Sequence, residues 1–440
     1  MYSESSAVWR RFRRQGVITQ LVFVVAVIVT LAVCACDGSK EEVGQTSSVE
    51  GAAQDILLVR DGRHLCDLAT VSGSCRNDFD LGGEVEAVVV SQNTPRVAAF
   101  EVIALGRREL RLLDLDSGVQ REVARDVAQT VGFDGEGSLY YVSQPQGGVG
   151  ELIRHDSAVD SESVVAACAL EAIADSESSA AAYVAAVSDV GVDPIDSRAF
   201  FLAAAGRDAV AIDSFKGGRF CDLVAVTPRA VVYVDNKGAG ETHGHVQVFD
   251  VDAGESRSVA LGARVVAVSR DRDALLLAKF SLSGDTQAED DDIPASNVEQ
   301  LYLVRLDGAR PLGLEPVGKP ISDAGIQAVF LESEEVVVVA VNRPDGNDDV
   351  VAHDLATGQS EVLLGTEHEA VKDLCSVPED GEVVCVLSRL DDGGAAWSDS
   401  VVVLPVLEPD AGTPSRIQAD PPGALHLVGW VRSTLGNEGG

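Results

Sequence analysis

The sequence predicts an all-β fold built from repeated units, and three observations carry this prediction. After the N-terminal region, short runs rich in Val, Ala and Leu alternate with turns rich in Gly, Asp, Ser and Pro, which is typical of strands. A unit of apolar run, polar turn and second apolar run recurs along the chain. Its usual spacing of about 40–50 residues is the length of a four-stranded β-propeller blade.

The recurring unit can be followed through most of the chain. Its first runs end at Val90, Phe133, Ala174, Val226, Val268, Leu331 and Ser376. A second unit follows in most repeats, as in "LRLLDLDSG", "VQVFDVDAG", "LYLVRLDG" and "DVVAHDLATG". We interpret it as a strand and a turn, because Asp accepts hydrogen bonds from its own backbone and Gly adopts positive φ. Each repeat is therefore expected to supply four strands.

The turn between the first two strands carries a family resemblance. "VPEDG" at residues 377–381 and "FDG" at residues 133–135 resemble the "SPDG" turn of TolB-type and WD-repeat-like propellers. The resemblance covers about residues 85–420 and implies a β-propeller. It indicates little about function, because propellers support many unrelated functions.

The two ends of residues 55–435, which we predict to form a single propeller domain, resemble parts of one blade. "DILLVRDGRHLCDLATV" reads as outer strands and "ALHLVGWV" as an inner strand. Together they would close the ring and leave no exposed sheet edge at the ends. We expect about eight blades. Seven is the alternative, because the Ala-rich unit at residues 170–215 also fits a helix.

The N-terminus resembles a bacterial lipoprotein signal at residues 1–35. Arg10, Arg11, Arg13 and Arg14 precede the uncharged run 17–33, which is the layout of a secretory signal. "VCAC" then matches a lipobox, so Cys36 is expected to carry the lipid and Cys34 to leave with the signal. An ordinary signal peptide and an uncleaved anchor are the alternatives. Residues 36–54 are acidic, small and polar, and predict a flexible tether.

These features predict a location in a bacterial cell envelope. The propeller would lie outside the cytoplasm, held by its lipid on either the inner or the outer membrane. The formal net charge of −36 argues against nucleic acid as a partner, because a protein this acidic repels phosphates.

The cysteines other than Cys34 and Cys36 predict disulfides, because the chain is expected to be exported. Proximity in sequence favours the pairs Cys66–Cys75, Cys168–Cys221 and Cys375–Cys385, with other pairings open. For the last pair, a three-residue hairpin loop 379–381 would place the two cysteines opposite each other on one face. A two-residue turn would place them on opposite faces.

Motifs for catalysis or metal binding are scarce. The sequence holds no Gly-x-Ser-x-Gly elbow, no sialidase box, and only Trp397 and Trp430 after the signal. His243 and His245 share a strand face and could bind a metal with Glu241, although a plain loop-edge pair is favoured. The acidic stretches 289–292 and 343–349 match no calcium loop. We therefore predict no cofactor and no metal site.

The sequence favours a non-catalytic scaffold over an enzyme. We expect a lipid-anchored propeller that binds a protein or a cell-wall component. The alternative is an enzyme or carbohydrate-binding propeller whose residues meet only in space, at the central channel. A funnel of converging His, Arg, Glu or Asp would favour this alternative, and a channel lined by Val and Ala would favour the scaffold.

Overall fold

The computed structural model describes strands, joined by turns, in the part of the chain after the N-terminal region. The described residues are 54–69, 75–91, 96–104, 106–144, 150–186, 197–204, 209–216, 220–236, 244–280, 298–322, 325–331, 335–343, 348–366, 369–377, 381–390, 397–406, 415–418 and 424–432. The predicted signal, Cys36 and most of the tether lie outside them. Within these ranges no helix is long and apolar enough to cross a membrane.

The described residues form an all-β fold, as predicted. Its strands are β1 Gln54–Arg60, β2 His64–Ala69, β3 Cys75–Asp80, β4 Glu84–Val90, β5 Val97–Ala104, β6 Arg107–Asp114, β7 Gln120–Arg125, β8 Val127–Phe133, β9 Leu139–Ser143, β10 Gly150–Asp156, β11 Ser161–Ala174, β12 Ala180–Ala186, β13 Ser197–Ala204, β14 Val210–Lys216, β15 Phe220–Val226, β16 Ala230–Asn236, β17 Gly244–Asp250, β18 Glu255–Val268, β19 Ala274–Phe280, β20 Val298–Asp307, β21 Arg310–Pro311, β22 Glu315–Ser322, β23 Gly325–Phe330, β24 Val336–Asn342, β25 Asp349–Asp354, β26 Ser360–Gly365, β27 Glu369–Val377, β28 Glu382–Leu390, β29 Trp397–Pro405, β30 Ser415–Gln418 and β31 Leu425–Arg432. The described residues of the Ala-rich unit 170–215, which also fitted a helix, lie mainly in strands β11 to β14.

The strands form six open antiparallel sheets. Four of these sheets have four strands, in the orders β3-β2-β1-β31, β4-β5-β6-β7, β23-β24-β25-β26 and β27-β28-β29-β30. In the other two, one 14-residue strand, β11 or β18, is the last strand of one four-stranded unit and the first of the next. We number the units 1 to 8 from the sheet that contains β1.

Unit 1 combines the two ends of the described chain. Strand β1 pairs with β31, so that Leu58 lies opposite Leu427, and β2 and β3 lie outside β1. The apolar residues of β1 that this pairing buries, Leu57, Leu58 and Val59, are fully inaccessible. The pairing joins strands from opposite ends of the domain. Burial of apolar side chains on both faces of β1 stabilises it.

A repeated Asp turn connects the third and fourth strands of several units. The side chain of Asp114 accepts hydrogen bonds from the backbone N–H groups of Asp116 and Ser117. Asp250 and Asp354 make the same pair of contacts two and three residues ahead. The glycine that closes each of these turns has φ between 67° and 71°. The Asp-x-Asp-x-Gly segments therefore build turns, because their oxygens already accept from the backbone.

The core consists of apolar clusters between consecutive units. Eight such clusters occur in the described residues, and each combines side chains of two neighbouring units. One of them joins unit 8 to unit 1 through Val384, Val401, Leu58 and Leu425. Val, Ala and Leu dominate, because β-branched and small side chains fill the narrow space between two pleated sheets.

Two predicted disulfides are corrected by the structure. Cys168, Cys221, Cys375 and Cys385 are thiols. Cys168 is exposed at a bulge of β11, whereas Cys221 is buried between units 4 and 5. The loop after β27 is one residue longer than predicted, because Val377 and not Pro378 pairs with Glu382. Because neighbouring side chains of a strand point to opposite faces, a loop that is longer by one residue changes which side chains share a face.

That longer loop moves the predicted cysteine pair out of register. Leu374 lies opposite Cys385, and Cys375 lies opposite Val384, so the two thiols point to different faces. Cys66 is disulfide-bonded. The side chain of Cys75 lies outside the described part, so the pairing Cys66–Cys75 stays a prediction.

Thiol accessibility should separate these cysteines. Burial, with a smaller contribution from Asp373 at Cys375, raises the pKa of Cys375 and of Cys385 to about 12. We expect iodoacetamide at pH 8 to modify Cys168 in the native protein and to spare Cys375 and Cys385, because only the thiolate reacts. Peptide mapping after unfolding should then show both as alkylatable thiols. A Cys375–Cys385 bridge in that map would contradict the register.

Candidate functional site

A cavity of about 470 Å³ opens where the inner strands of units 1 and 2 begin. We call this the cavity end of the molecule, and the opposite end the turn end. Its walls are formed by Asp61, Gly62, Arg63, Glu84, Val85, Ala424 and His426. Three elements contribute: the β1–β2 turn, the start of β4 and the start of β31. The site therefore depends on the pairing of the two chain ends.

The β1–β2 turn forms a rigid wall of this cavity. The loop has three residues, because Arg60 pairs with His64, and Asp61 and Gly62 both have positive φ, 51° and 64°. The Val85 N–H donates to the Gly62 carbonyl at 2.7 Å, and the Leu81 N–H donates to the Arg63 carbonyl at 2.7 Å. These bonds tie unit 1 to the start of unit 2.

His426 and the backbone on both sides of it lie against two carboxylates of unit 8. Its Nδ1 lies 3.4 Å from Asp373 Oδ2, which also accepts the Leu427 N–H at 3.1 Å. The Leu425 N–H donates to Asp399 Oδ2.

A bulge in β27 places these side chains. The register of β27 against β28 shifts between Val371 and Asp373, so Lys372 is an extra residue in the strand. Lys372 Nζ contacts Asp399 Oδ2 at 3.1 Å, while Asp373 reaches β31. Bulges of this kind redirect side chains next to functional sites.

The remaining charges on the cavity wall are exposed at its mouth. Asp61, Arg63 and Glu84 have no ion-pair partner among the described residues. Two carboxylates and one guanidinium leave the mouth with a net negative charge. The two carboxylates are acceptors and the Arg63 guanidinium is a donor, so a polar ligand would meet both kinds of group there.

Other charged side chains on or beside the inner strands are paired with each other. Arg264 contacts Glu299 at 2.9 Å, and Arg108 contacts Glu101 at 3.4 Å. Glu101 also accepts the Thr130 N–H at 2.5 Å, which links unit 2 to unit 3. Burial raises the pKa of Glu101, and this hydrogen bond opposes that rise. The two ion pairs lie within units 6 and 2, and the Glu101–Thr130 hydrogen bond joins units 2 and 3, so all of these groups are already engaged within the protein.

The turn end is bridged by contacts between turns of different units. The Gly135 N–H of unit 3 donates to the Ser178 carbonyl of unit 4 at 2.9 Å. Arg272 of unit 6 forms an ion pair with the buried Asp175 of unit 4. Arg272 Nη2 also donates to Ser176 Oγ at 3.1 Å. Turns of units 3, 4 and 6 are therefore linked at this end, whereas the cavity beside units 1 and 2 opens at the other end.

The sequence-predicted metal ligands do not assemble in the described residues. His245 Nε2 lies 2.8 Å from Ser258 Oγ, and Glu241, His243 and the stretch 289–292 lie outside the description. Asp348 of the stretch 343–349 is buried and accepts the N–H groups of Arg343 and Val371. No group of three His, Cys, Asp or Glu suited to a metal occurs in the part of the chain described.

Sequence reasoning missed Asp373 and His426. The contact between Asp373 and β31 joins positions 54 residues apart, so no local motif marks it. "ALHLVGWV" predicted an inner strand but gave no reason to single out its histidine. The sequence left two alternatives open, a funnel of charged residues and a channel lined by Val and Ala, and the structure contains both kinds of residue. Charged groups lie at the cavity end, and apolar residues such as Val89, Val131 and Val268 lie along the inner strands.

Comparison with known proteins supports the fold. No protein-family model matches the chain. No curated protein matches it either. Among solved structures it is similar to the β-propeller domain of the Trilobed protease from Pyrococcus furiosus, at 12% identity over 76% of this chain and 94% of that chain, with a TM-score of 0.46.

Two enzymes are similar over more of the chain. Dihydro-heme d1 dehydrogenase NirN, in complex with DHE, matches at 12% identity over 86% of this chain and 75% of that one, with a TM-score of 0.53. Oligopeptidase B from Leishmania major matches at 10% identity over 88% of this chain and 56% of its own, with a TM-score of 0.48. The structural neighbours are β-propeller proteins, and at these identities the likeness shows the fold alone.

These neighbours correct the prediction that the protein is not an enzyme. That prediction depended on missing motifs, yet the dehydrogenase NirN, with a TM-score of 0.53, has a similar fold. The chain spans about half the length of the peptidases it matches. The absent motif is therefore no evidence against catalysis.

Proposed function

We propose that residues 55–435 form an eight-bladed β-propeller, anchored through lipid on Cys36 in a bacterial cell envelope, whose cavity end binds a protein or cell-wall partner. The blade number is supported by the eight four-stranded units and the eight clusters between them. The cluster that joins units 8 and 1 supports a closed ring.

The binding role is supported by the direction of strand β1, which places the proposed anchor and the cavity at opposite ends. Strand β1 begins at Gln54, opposite Arg432, at the turn end, and runs toward Arg60 at the cavity. A flexible tether of the predicted length reaches roughly 20–25 Å. The tether would therefore join the propeller at its turn end, which would face the membrane. The cavity end would then remain accessible to a partner.

Site-specific photo-cross-linking in cells tests this orientation. Ala424 is exposed at the cavity and Ala253 is exposed at the turn end, so they are matched small positions for a photoreactive amino acid. We expect a discrete cross-linked product from position 424 and none from position 253. Products from 253 alone would place the partner at the wrong end.

A second candidate function, an enzyme or carbohydrate-binding propeller with a central site, is favoured by Asp373 and His426. A carboxylate that orients a histidine is a common arrangement for proton transfer. Under this proposal, Asp373→Asn should remove turnover while leaving the cross-link from position 424 intact. An unchanged turnover would argue against it.

A further inference from the structure

We propose that acid loosens the boundary between units 2 and 3, because this boundary encloses an uncharged histidine beside an arginine. The histidine is His155 of strand β10, which is 3% exposed. Its Nδ1 is buried and has no hydrogen-bond partner among the described residues. A proton added to this buried ring would bring a charge into a site where solvent cannot stabilise it. This property of the fold does not depend on the partner-binding role proposed for the cavity end.

Arg121 of unit 2 reaches across the boundary to the ring. Its Nη2 lies 3.4 Å from His155 Nε2 and donates to the Ser157 carbonyl at 3.0 Å. Its Nη1 forms an ion pair with Asp160 of unit 3. A guanidinium has donors and no acceptor, so its contact with Nε2 is favourable only while that nitrogen carries no proton. A protonated ring would place two cations side by side.

The carboxylates around the ring compensate for this cation only weakly. Asp160 Oδ1 lies 3.6 Å from Nε2, but its side chain is 73% exposed and paired with Arg121. Glu162 Oε1 lies 3.8 Å from Nδ1 and accepts the Tyr141 hydroxyl at 2.7 Å. Asp156 accepts backbone N–H groups of its own turn. Because water screens exposed charges, these carboxylates add little stability to an imidazolium.

The pKa of the enclosed ring gives the direction of the response. Burial, and after it the charge of Arg121, lowers the pKa of His155 below its ordinary value of about 6.5. When the boundary opens, the ring meets water and its pKa returns to that value. The open form then binds protons that the closed form does not, so closure loses stability as the pH falls below about 6.5. The apolar cluster around Leu112 and Leu139 does not titrate and continues to join the two units.

An NMR titration of the histidine rings tests the charge state of the full chain, purified in detergent. The chain has seven histidines, and the signal missing from His155→Gln or from His155→Asn identifies the ring. We expect this ring to titrate below about pH 6.5. In Arg121→Gln it should titrate at a higher pH than in the wild type, which a purely structural role of Arg121 would not produce. A wild-type ring that titrates at or above about pH 6.5 would overturn the proposal.

Hydrogen–deuterium exchange measures the opening itself. The wild type and His155→Gln are compared at about pH 7.5 and about pH 5.5, on either side of the ordinary histidine pKa. The intrinsic effect of pH on exchange cancels between the two chains. Gln keeps an oxygen that can accept from Arg121, and it does not titrate. On acidification, the amides of β7 and β10 should lose protection several-fold more in the wild type, since one pKa unit between closed and open forms is a tenfold change in their equilibrium.

His64→Gln is the matched control. His64 is 33% exposed beside Asp78 in unit 1, so its replacement removes a histidine away from the boundary. This variant should keep the acid response of the wild type. Equal losses of protection in the wild type and in His155→Gln would overturn the proposal, and so would a His64→Gln chain that no longer responds to acid. Melting temperatures at neutral pH check that each variant is folded.

Discussion

Replacing Cys36 with Ala should move the protein from the membrane fraction to the soluble fraction. The expected effect is nearly complete, because the lipid would be the only covalent attachment and the remaining chain is strongly acidic. An acidic surface is repelled by anionic lipids, so no electrostatic binding would replace the anchor. Fractionation with immunodetection of the propeller measures the change.

Cys34→Ala is the matched control for this experiment. It removes a cysteine two positions away, which is expected to leave with the signal, so membrane attachment should persist. Release by Cys34→Ala with retention of Cys36→Ala would assign the lipid to Cys34. If neither substitution releases the protein, an uncleaved apolar anchor becomes the explanation, because residues 17–33 carry no charge.

Asp399→Ala should destabilise the domain by about 2–3 kcal/mol, because the buried carboxylate accepts several hydrogen bonds, one of them from a buried backbone N–H. Asp399 is 4% exposed. Its carboxylate accepts from Lys372 at 3.1 Å, from Ser388 Oγ at 2.6 Å and from the Leu425 N–H. The substitution would leave the Lys372 ammonium and a backbone N–H of β31 without this acceptor. Urea unfolding measures the loss.

The same substitution should loosen strand β31 first. Limited proteolysis should cut the C-terminal strand of Asp399→Ala faster than that of the wild type, because Leu425 loses its tie to unit 8. Asp399→Asn keeps acceptor capacity and should lose less stability. Glu361→Gln, on the exposed surface, should change the free energy of unfolding by no more than about 0.5 kcal/mol. A wild-type stability for Asp399→Ala would mean that this contact does not hold the chain ends together.

The strands and their order could be predicted from the sequence, because local patterns determine them. The first runs predicted to end at Val90, Phe133, Ala174, Val226 and Val268 end as strands at those residues. The Asp turns were predictable for the same reason, since Asp114 and Asp250 bond to backbone groups only two and three residues away. Local hydrogen bonding and the alternation of apolar residues leave direct marks in a sequence.

The tertiary structure alone decided the register of the cysteines and the composition of the cavity. One extra loop residue before Glu382 places Cys375 and Cys385 on different faces of the sheet. A register shift of one residue changes which face a side chain occupies but leaves the composition of the strands unchanged, so the sequence does not reveal it. The bulge at Lys372 brought Asp373 to His426 from a distant part of the chain. The physical reason is that a site between two sheets depends on registers and bulges, whereas sequence periodicity specifies only which residues form strands.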